Sequence, residues 1–171
     1  MPRLSAKLTK LRIDIPATIK RNDPVIRRAF FKAIKAFLLE AQIHIPLWSG
    51  MSRGSLVPAA RFVNSKDPGS PAVIILSPLA AKFSRVSKGV ELGTFSFKFV
   101  DGVYQFIIEP KVEHFFYLDK ETHPKVSSAP WESFKKARIV YTRVLKRELK
   151  GLKNPVIIRT RVTTGSKKGL G

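Results

Sequence analysis

Phe95, Phe97 and Phe99 alternate with Ser96 and Lys98, Asp101-Gly102 follows, and Val103 to Ile108 returns as a second apolar run. Alternation with period two puts the three rings on one face of a strand. Asp-Gly is a two-residue turn tolerant of positive φ, so the stretch predicts a β-hairpin with one apolar face. Such a face must be buried against another layer.

Two segments with helical period supply that layer. Asn22-Asp23-Pro24 offers a side-chain cap and a proline at the first helical position, and Ile26, Ala29, Phe30, Ala33, Ile34, Phe37, Leu38 and Ala41 then recur three and four residues apart. This predicts an amphipathic helix over about Pro24 to Gln42, with Arg27, Arg28, Lys32 and Lys35 off its apolar stripe. A second helix is predicted from Ala129-Pro130 to Leu149, ahead of Gly151, with Trp131, Phe134, Ala137, Tyr141, Val144, Leu145 and Leu149 facing inward. Asp67-Pro68-Gly69-Ser70-Pro71 breaks the chain before Ala72 to Leu76, which reads as a short buried strand, and Val156 to Val162 reads as a late strand. Phe115 to Leu118 reads as a further buried piece, and residues 79–94 are ambiguous between loop and frayed helix. The order of these elements predicts an α+β fold, two long amphipathic helices packed on a small, mostly antiparallel β-sheet. Residues 1–21 alternate Lys and Arg with Leu and Ile around Pro16 and read as a basic N-terminal arm or an irregular first strand. Residues 22–162 read as a single α+β domain, and 163–171 as a flexible basic tail.

Charge is the second constraint. The 171 residues hold 32 Lys+Arg and 12 Asp+Glu, a formal net charge of +20. Residues 1–35 carry ten basic and two acidic residues, 36–134 ten and nine, and 135–171 twelve and one. The middle is close to neutral and both ends are basic, which calls for a polyanionic neighbour, because clustered Lys/Arg release condensed counterions on meeting phosphate. Lys135, Lys136, Arg138, Arg143, Lys146 and Arg147 lie off the apolar stripe of the second helix, and Lys150 and Lys153 continue the run; these eight are the candidate polyanion-facing residues. With 44% hydrophobic and 26% charged residues the chain can still bury a core. Its longest apolar runs fall far short of the roughly 18 to 20 residues of a spanning helix, and the start Met-Pro-Arg-Leu has no apolar signal core. The expectation is a soluble, unexported chain without a membrane partner.

Positive evidence for catalysis is lacking. The absence of cysteine removes disulfides, thiolate metal sites and thiol nucleophiles. His44, His114 and His123 have no HxxxH or HExxH spacing, and Glu109, Glu113, Asp119 and Glu121 form only a loose cluster without the ligand spacing of a metal-dependent nuclease. No Walker-type phosphate loop occurs, and Phe95, Phe97 and Phe99 serve a core more economically than base stacking. The expectation is a non-enzyme with no cofactor and no metal.

Pro46-Leu47-Trp48-Ser49-Gly50-Met51-Ser52-Arg53-Gly54-Ser55-Leu56 resembles the P-x-D-T-G-x-L-R-x-S-I segment of the tail-completion, or neck, proteins of tailed bacteriophages. Pro46, Gly50, Arg53 and Ser55 match, Ser49 stands for Thr and Leu56 for Ile. Trp48 and Ser52 depart from the pattern, where Asp and Leu are usual. The family's E-x-G-T element is matched by Glu91-Leu92-Gly93-Thr94, separated from the Pro-initiated helix by a longer stretch than usual. The likeness spans about residues 24 to 150. It implies a non-catalytic virion protein, assembled in the host cytoplasm, that forms a homo-oligomeric ring at the head–tail junction or tail top. Such a ring contacts other neck, connector or tail-tube proteins and its basic surfaces face DNA, bound without sequence preference, or acidic neighbours. On this reading Ser49, Gly50, Arg53 and Ser55 belong to a flexible polar loop that contacts the next subunit. The competing expectation is a nucleic-acid-binding protein of ribosomal or nucleoid type, weakened by the absence of an RNP, KH or helix-turn-helix signature.

Overall fold

The computed structural model describes residues 8–15, 24–45, 50–74, 85–112, 130–152 and 157–163. In chain order these form β1 (Leu8–Asp14), α1 (Pro24–His44), α2 (Met51–Gly54), α3 (Val57–Lys66), α4 (Val86–Leu92), β2 (Gly93–Val100), β3 (Val103–Pro110), α5 (Pro130–Glu148) and β4 (Ile157–Thr163). The sheet is antiparallel throughout, in the order β2-β3-β1-β4. The fold is α+β, with long helices α1 and α5 packed on each other and on one face of the sheet.

The hairpin forms as its sequence dictates. Asp101 at φ 50° and Gly102 at φ 77° make the turn, and Phe97 pairs with Phe106, Phe99 with Tyr104. Rings then stack across the strands, Phe99 on Tyr104 at 4.2 Å between centroids and Phe95 on Phe106 at 5.7 Å. Phe30 of α1 reaches into this layer, 5.5 Å from Tyr104 and 6.3 Å from Tyr141 of α5, while Phe37 lies 5.6 Å from Phe134. Phe30, Phe37, Phe134 and Tyr141 are buried and Phe97 is half-buried against the same cluster; the Trp131 side chain lies outside the described residues.

Several expectations are corrected. Of the two readings of residues 1–21, Leu8–Asp14 takes the strand. It is an interior strand, pairing with β3 on one side and β4 on the other, because Leu11, Ile13 and Ile15 all point into the core. Residues 57–66, not anticipated as helical, form α3. Pro58 stands in its first turn, and Ala59, Ala60 and Val63 are buried at helical spacing. Residues 72–74 are not a strand, and Val73 is exposed. Side-chain amides take the place of a partner strand there. Asn64 donates from Nδ2 to the Ala72 carbonyl (3.0 Å) and accepts the Ala72 N–H on Oδ1 (2.7 Å), and Gln42 Nε2 donates to the Val73 carbonyl (2.9 Å). Ile75 and Leu76, the buried piece expected at Phe115 to Leu118, and the tail from Thr164 onward lie outside the described residues.

Two polar groups inside the helical layer stand out. Lys35 of α1 is buried. It forms an ion pair with the Asp67 carboxylate (3.1 Å) and donates to the Asp67 carbonyl, fastening the C-terminus of α3 to α1. Tyr141 Oη is buried and has no hydrogen-bond partner among the described residues, and burial pushes its ionisation well above the ordinary tyrosine value. A buried hydroxyl without a partner costs free energy, so Tyr141→Phe is expected to leave stability unchanged or raise it by up to about 1 kcal/mol in denaturant melts. The sign with pH is fixed. The unfolded chain ionises this phenol near 10.0 and the folded chain does not, so above that pH the wild type loses stability that the Phe variant keeps.

Candidate polyanion-binding surface

Helix α5 divides cleanly. Phe134, Ala137, Tyr141, Val144, Leu145 and Leu149 are buried against α1 and the sheet. Lys135, Lys136, Arg138, Arg143, Lys146 and Arg147 are exposed on the other side, and Lys150 is exposed just beyond its end. Helix rise places Lys135 and Lys150 about 22 Å apart along the axis. The one acidic residue after position 134, Glu148, is occupied. Lys32 of α1 meets its carboxylate at 2.9 Å and Arg147 at 3.2 Å. The Lys32 hydrogen bond, foremost, holds the Glu148 carboxyl below its usual range against the opposing effect of desolvation. The expected polyanion-facing residues are thus brought together on one surface, except Lys153, which lies outside the described residues. Ile139, also exposed, is the apolar member of this surface. The basic residues near the C-terminus of α5 also complement the helix dipole.

The expected flexible loop is corrected. Gly50, at φ 71° in the left-handed region that favours glycine, opens α2, and Met51, Ser52, Arg53, Gly54 and Ser55 are all buried within the chain. Arg53 donates from Nε to the Ile45 carbonyl at 3.1 Å, so its guanidinium satisfies an acceptor just past the C-terminus of α1, where positive charge is favourable. Burial lowers the pKa of Arg53 by desolvation. Ser55 donates from Oγ to the Ser52 carbonyl (2.7 Å) and from its backbone N–H to the Met51 carbonyl (3.1 Å). Arg53 and Ser55 are therefore engaged within the chain and are not an exposed loop; Ser49 lies outside the described residues.

α2 packs directly on α4 and the start of β2. A Cβ at Gly89 would stand 2.1 Å from the Met51 carbonyl oxygen, and one at Gly93 2.1 Å from that of Ser55. Glu91-Leu92-Gly93-Thr94 is the helix-to-strand junction of this contact, with Thr94 Oγ1 donating to the Glu109 carbonyl at 2.8 Å. The two motif segments singled out in the sequence thus meet each other.

A second basic region is not visible in the sequence. Lys10 and Arg12 in β1, Lys98 in β2 and Arg159 in β4 belong to strands far apart in the chain, and the sheet register brings them together. The alternation of Lys10 and Arg12 with Leu11 and Ile13 is a signal for it, but the pairing is not. No group of three or more His, Asp or Glu that could hold a metal ion occurs among the described residues, and none of their helices is long and apolar enough to cross a membrane. His44 bonds Glu40 one turn away on α1 at 3.1 Å; His114 and His123 lie outside the described residues. No family model matches the chain, and searches of curated proteins and of solved structures find no match either.

Proposed function

We propose that this chain is a non-catalytic structural subunit of a tailed-phage particle, forming a ring at the head–tail junction or tail top with its basic surfaces toward DNA or acidic neighbouring protein. The observation that carries the reading is the outer face of α5, where seven basic residues from Lys135 to Lys150 are exposed and Glu148, the one acidic residue after position 134, is already paired. Like charges gathered on one rigid element repel one another, and a polyanion relieves that repulsion. The succession of a long helix, the Pro46 to Leu56 segment, an antiparallel hairpin and a Pro-initiated basic helix supports the phage assignment through its resemblance to neck proteins. The ring contact is not assigned to Arg53 or Ser55, whose polar groups are engaged inside the subunit.

Two measurements test the reading together. The purified chain should form a closed oligomer by native mass and electron microscopy, and it should bind mixed-sequence duplex DNA with log affinity falling linearly against log salt. Lys146→Glu with Arg147→Glu should lower that salt slope by about 2, roughly 0.9 for each phosphate that is no longer neutralised, without changing the thermal melt. A chain that stays monomeric and selects a structured RNA would favour the ribosomal or nucleoid alternative.

A further inference from the structure

We propose that the face of the sheet turned away from the helices is a second anion-binding surface, one that takes the phosphodiester backbone of a nucleic acid without reading its sequence. It lies across the sheet from the helical layer and goes beyond the role assigned to α5. The argument begins with register. Lys98 stands opposite Gln105, Gln105 opposite Arg12, and Arg12 opposite Arg159, so one row crosses all four strands. At the usual strand spacing that row is about 14 Å long. In the next row Ser96 faces Ile107, Ile107 faces Lys10, and Lys10 faces Arg161.

Arg12/Arg159 and Lys10/Arg161 are therefore two like-charge pairs directly opposite each other on the same ladder, an arrangement that destabilises a sheet. Asp14 compensates the first, bonding Arg12 Nε and lying 3.4 Å from Arg159 Nε. One carboxylate serves two guanidiniums, and the second row contains no acid. By register the face holds five cations, Lys10, Arg12, Lys98, Arg159 and Arg161, against two carboxylates, Asp14 and Glu109, an imbalance that solubility alone does not require. Local rules broken without compensation mark functional surfaces.

The chemistry of the row selects the occupant. Cations outnumber apolar residues in the two rows, where Lys98, Arg12, Arg159, Lys10 and Arg161 stand with Ile107 as the one apolar member, so charge and not an apolar anchor dominates the footprint. Phosphates need only cations. The hairpin aromatics Phe95, Phe97, Phe99, Tyr104 and Phe106 all pack on the helical side, leaving no platform for base stacking on this face, so the contacts are to backbone and sequence-independent.

The test uses the full chain and a fluorescent mixed-sequence DNA duplex, titrated by anisotropy over a range of salt. Lys98→Gln with Arg159→Gln, both at exposed positions, should weaken binding roughly tenfold at low salt and reduce the salt slope by about 2. Asp14→Asn, which frees both arginines, should act in the opposite direction and tighten binding. The loss in the sheet variant should add to that of Lys146→Gln with Arg147→Gln, because the two surfaces are separate. Should the paired sheet variant melt earlier than wild type, Lys98→Gln alone should still lower the slope by about 1. Wild-type affinity and slope in the sheet variants would overturn the proposal. So would loss of binding to a polyglutamate chain with DNA binding intact, which would assign the face to an acidic protein.

Discussion

Gly89→Ala is expected to destabilise the chain by about 4 kcal/mol or more, enough to abolish cooperative unfolding near room temperature. The new Cβ would meet the Met51 carbonyl oxygen at 2.1 Å and its carbonyl carbon and Cα at 2.9 Å. Overpacking costs about 1–3 kcal/mol even where side chains can move aside. At Gly89 the obstacle is backbone, and Met51 is held by the hydrogen bond from Ser55 N–H to its carbonyl. Gly93→Ala meets the Ser55 carbonyl oxygen equally closely and should behave alike. Gly151→Ala is the control. Nothing lies within 4 Å of its Cβ, and it should be neutral or stabilising by about 0.4–1 kcal/mol. Urea midpoints for the three variants decide the matter, and a Gly89→Ala midpoint equal to that of Gly151→Ala would refute the contact between α2 and α4.

Phe37→Ala carries the second large effect, a loss of about 3–5 kcal/mol for a buried aromatic. Phe37 is completely buried in α1, with its ring 5.6 Å from that of Phe134 in α5. Because the two rings touch across the helix pair, a double-mutant cycle with Phe134→Ala should return a coupling of about 0.5–1.5 kcal/mol. Strict additivity would mean that α1 and α5 do not pack through these rings, and the basic face of α5 would then lack the support that orients it.

The features legible in the sequence are local ones. α1, α5 and the hairpin are readable because their caps, periodicity and Asp-Gly turn lie within each segment. α3 carries a weaker signal of the same kind, Pro58 followed by Ala59, Ala60 and Val63, hidden beside a Gly/Ser-rich stretch that reads as loop. What depends on distant partners is not readable. Arg53 looks like a surface arginine until Ile45 presents its carbonyl, and Ala72 to Ile74 have the composition of a strand while Asn64 and Gln42 supply the hydrogen bonds. The basic surface of α5 follows from one helix and its period. The row on the sheet requires knowing that Arg12 stands beside Arg159.

The interior position of β1 also sets the order in which the molecule can assemble. Ile13 pairs with Tyr104 on one side and with Ile158 on the other, so the sheet closes only after residues 157–163 have been synthesised. The β2–β3 hairpin needs only its own turn and can form within microseconds. β1 must wait for two long loops to close, and long-range pairing of this kind slows folding. In the interval an apolar strand bearing Leu11 and Ile13 stands with open edges, ready to pair with another chain, and Lys10 and Arg12 on its opposite side keep such strands apart until β3 and β4 arrive.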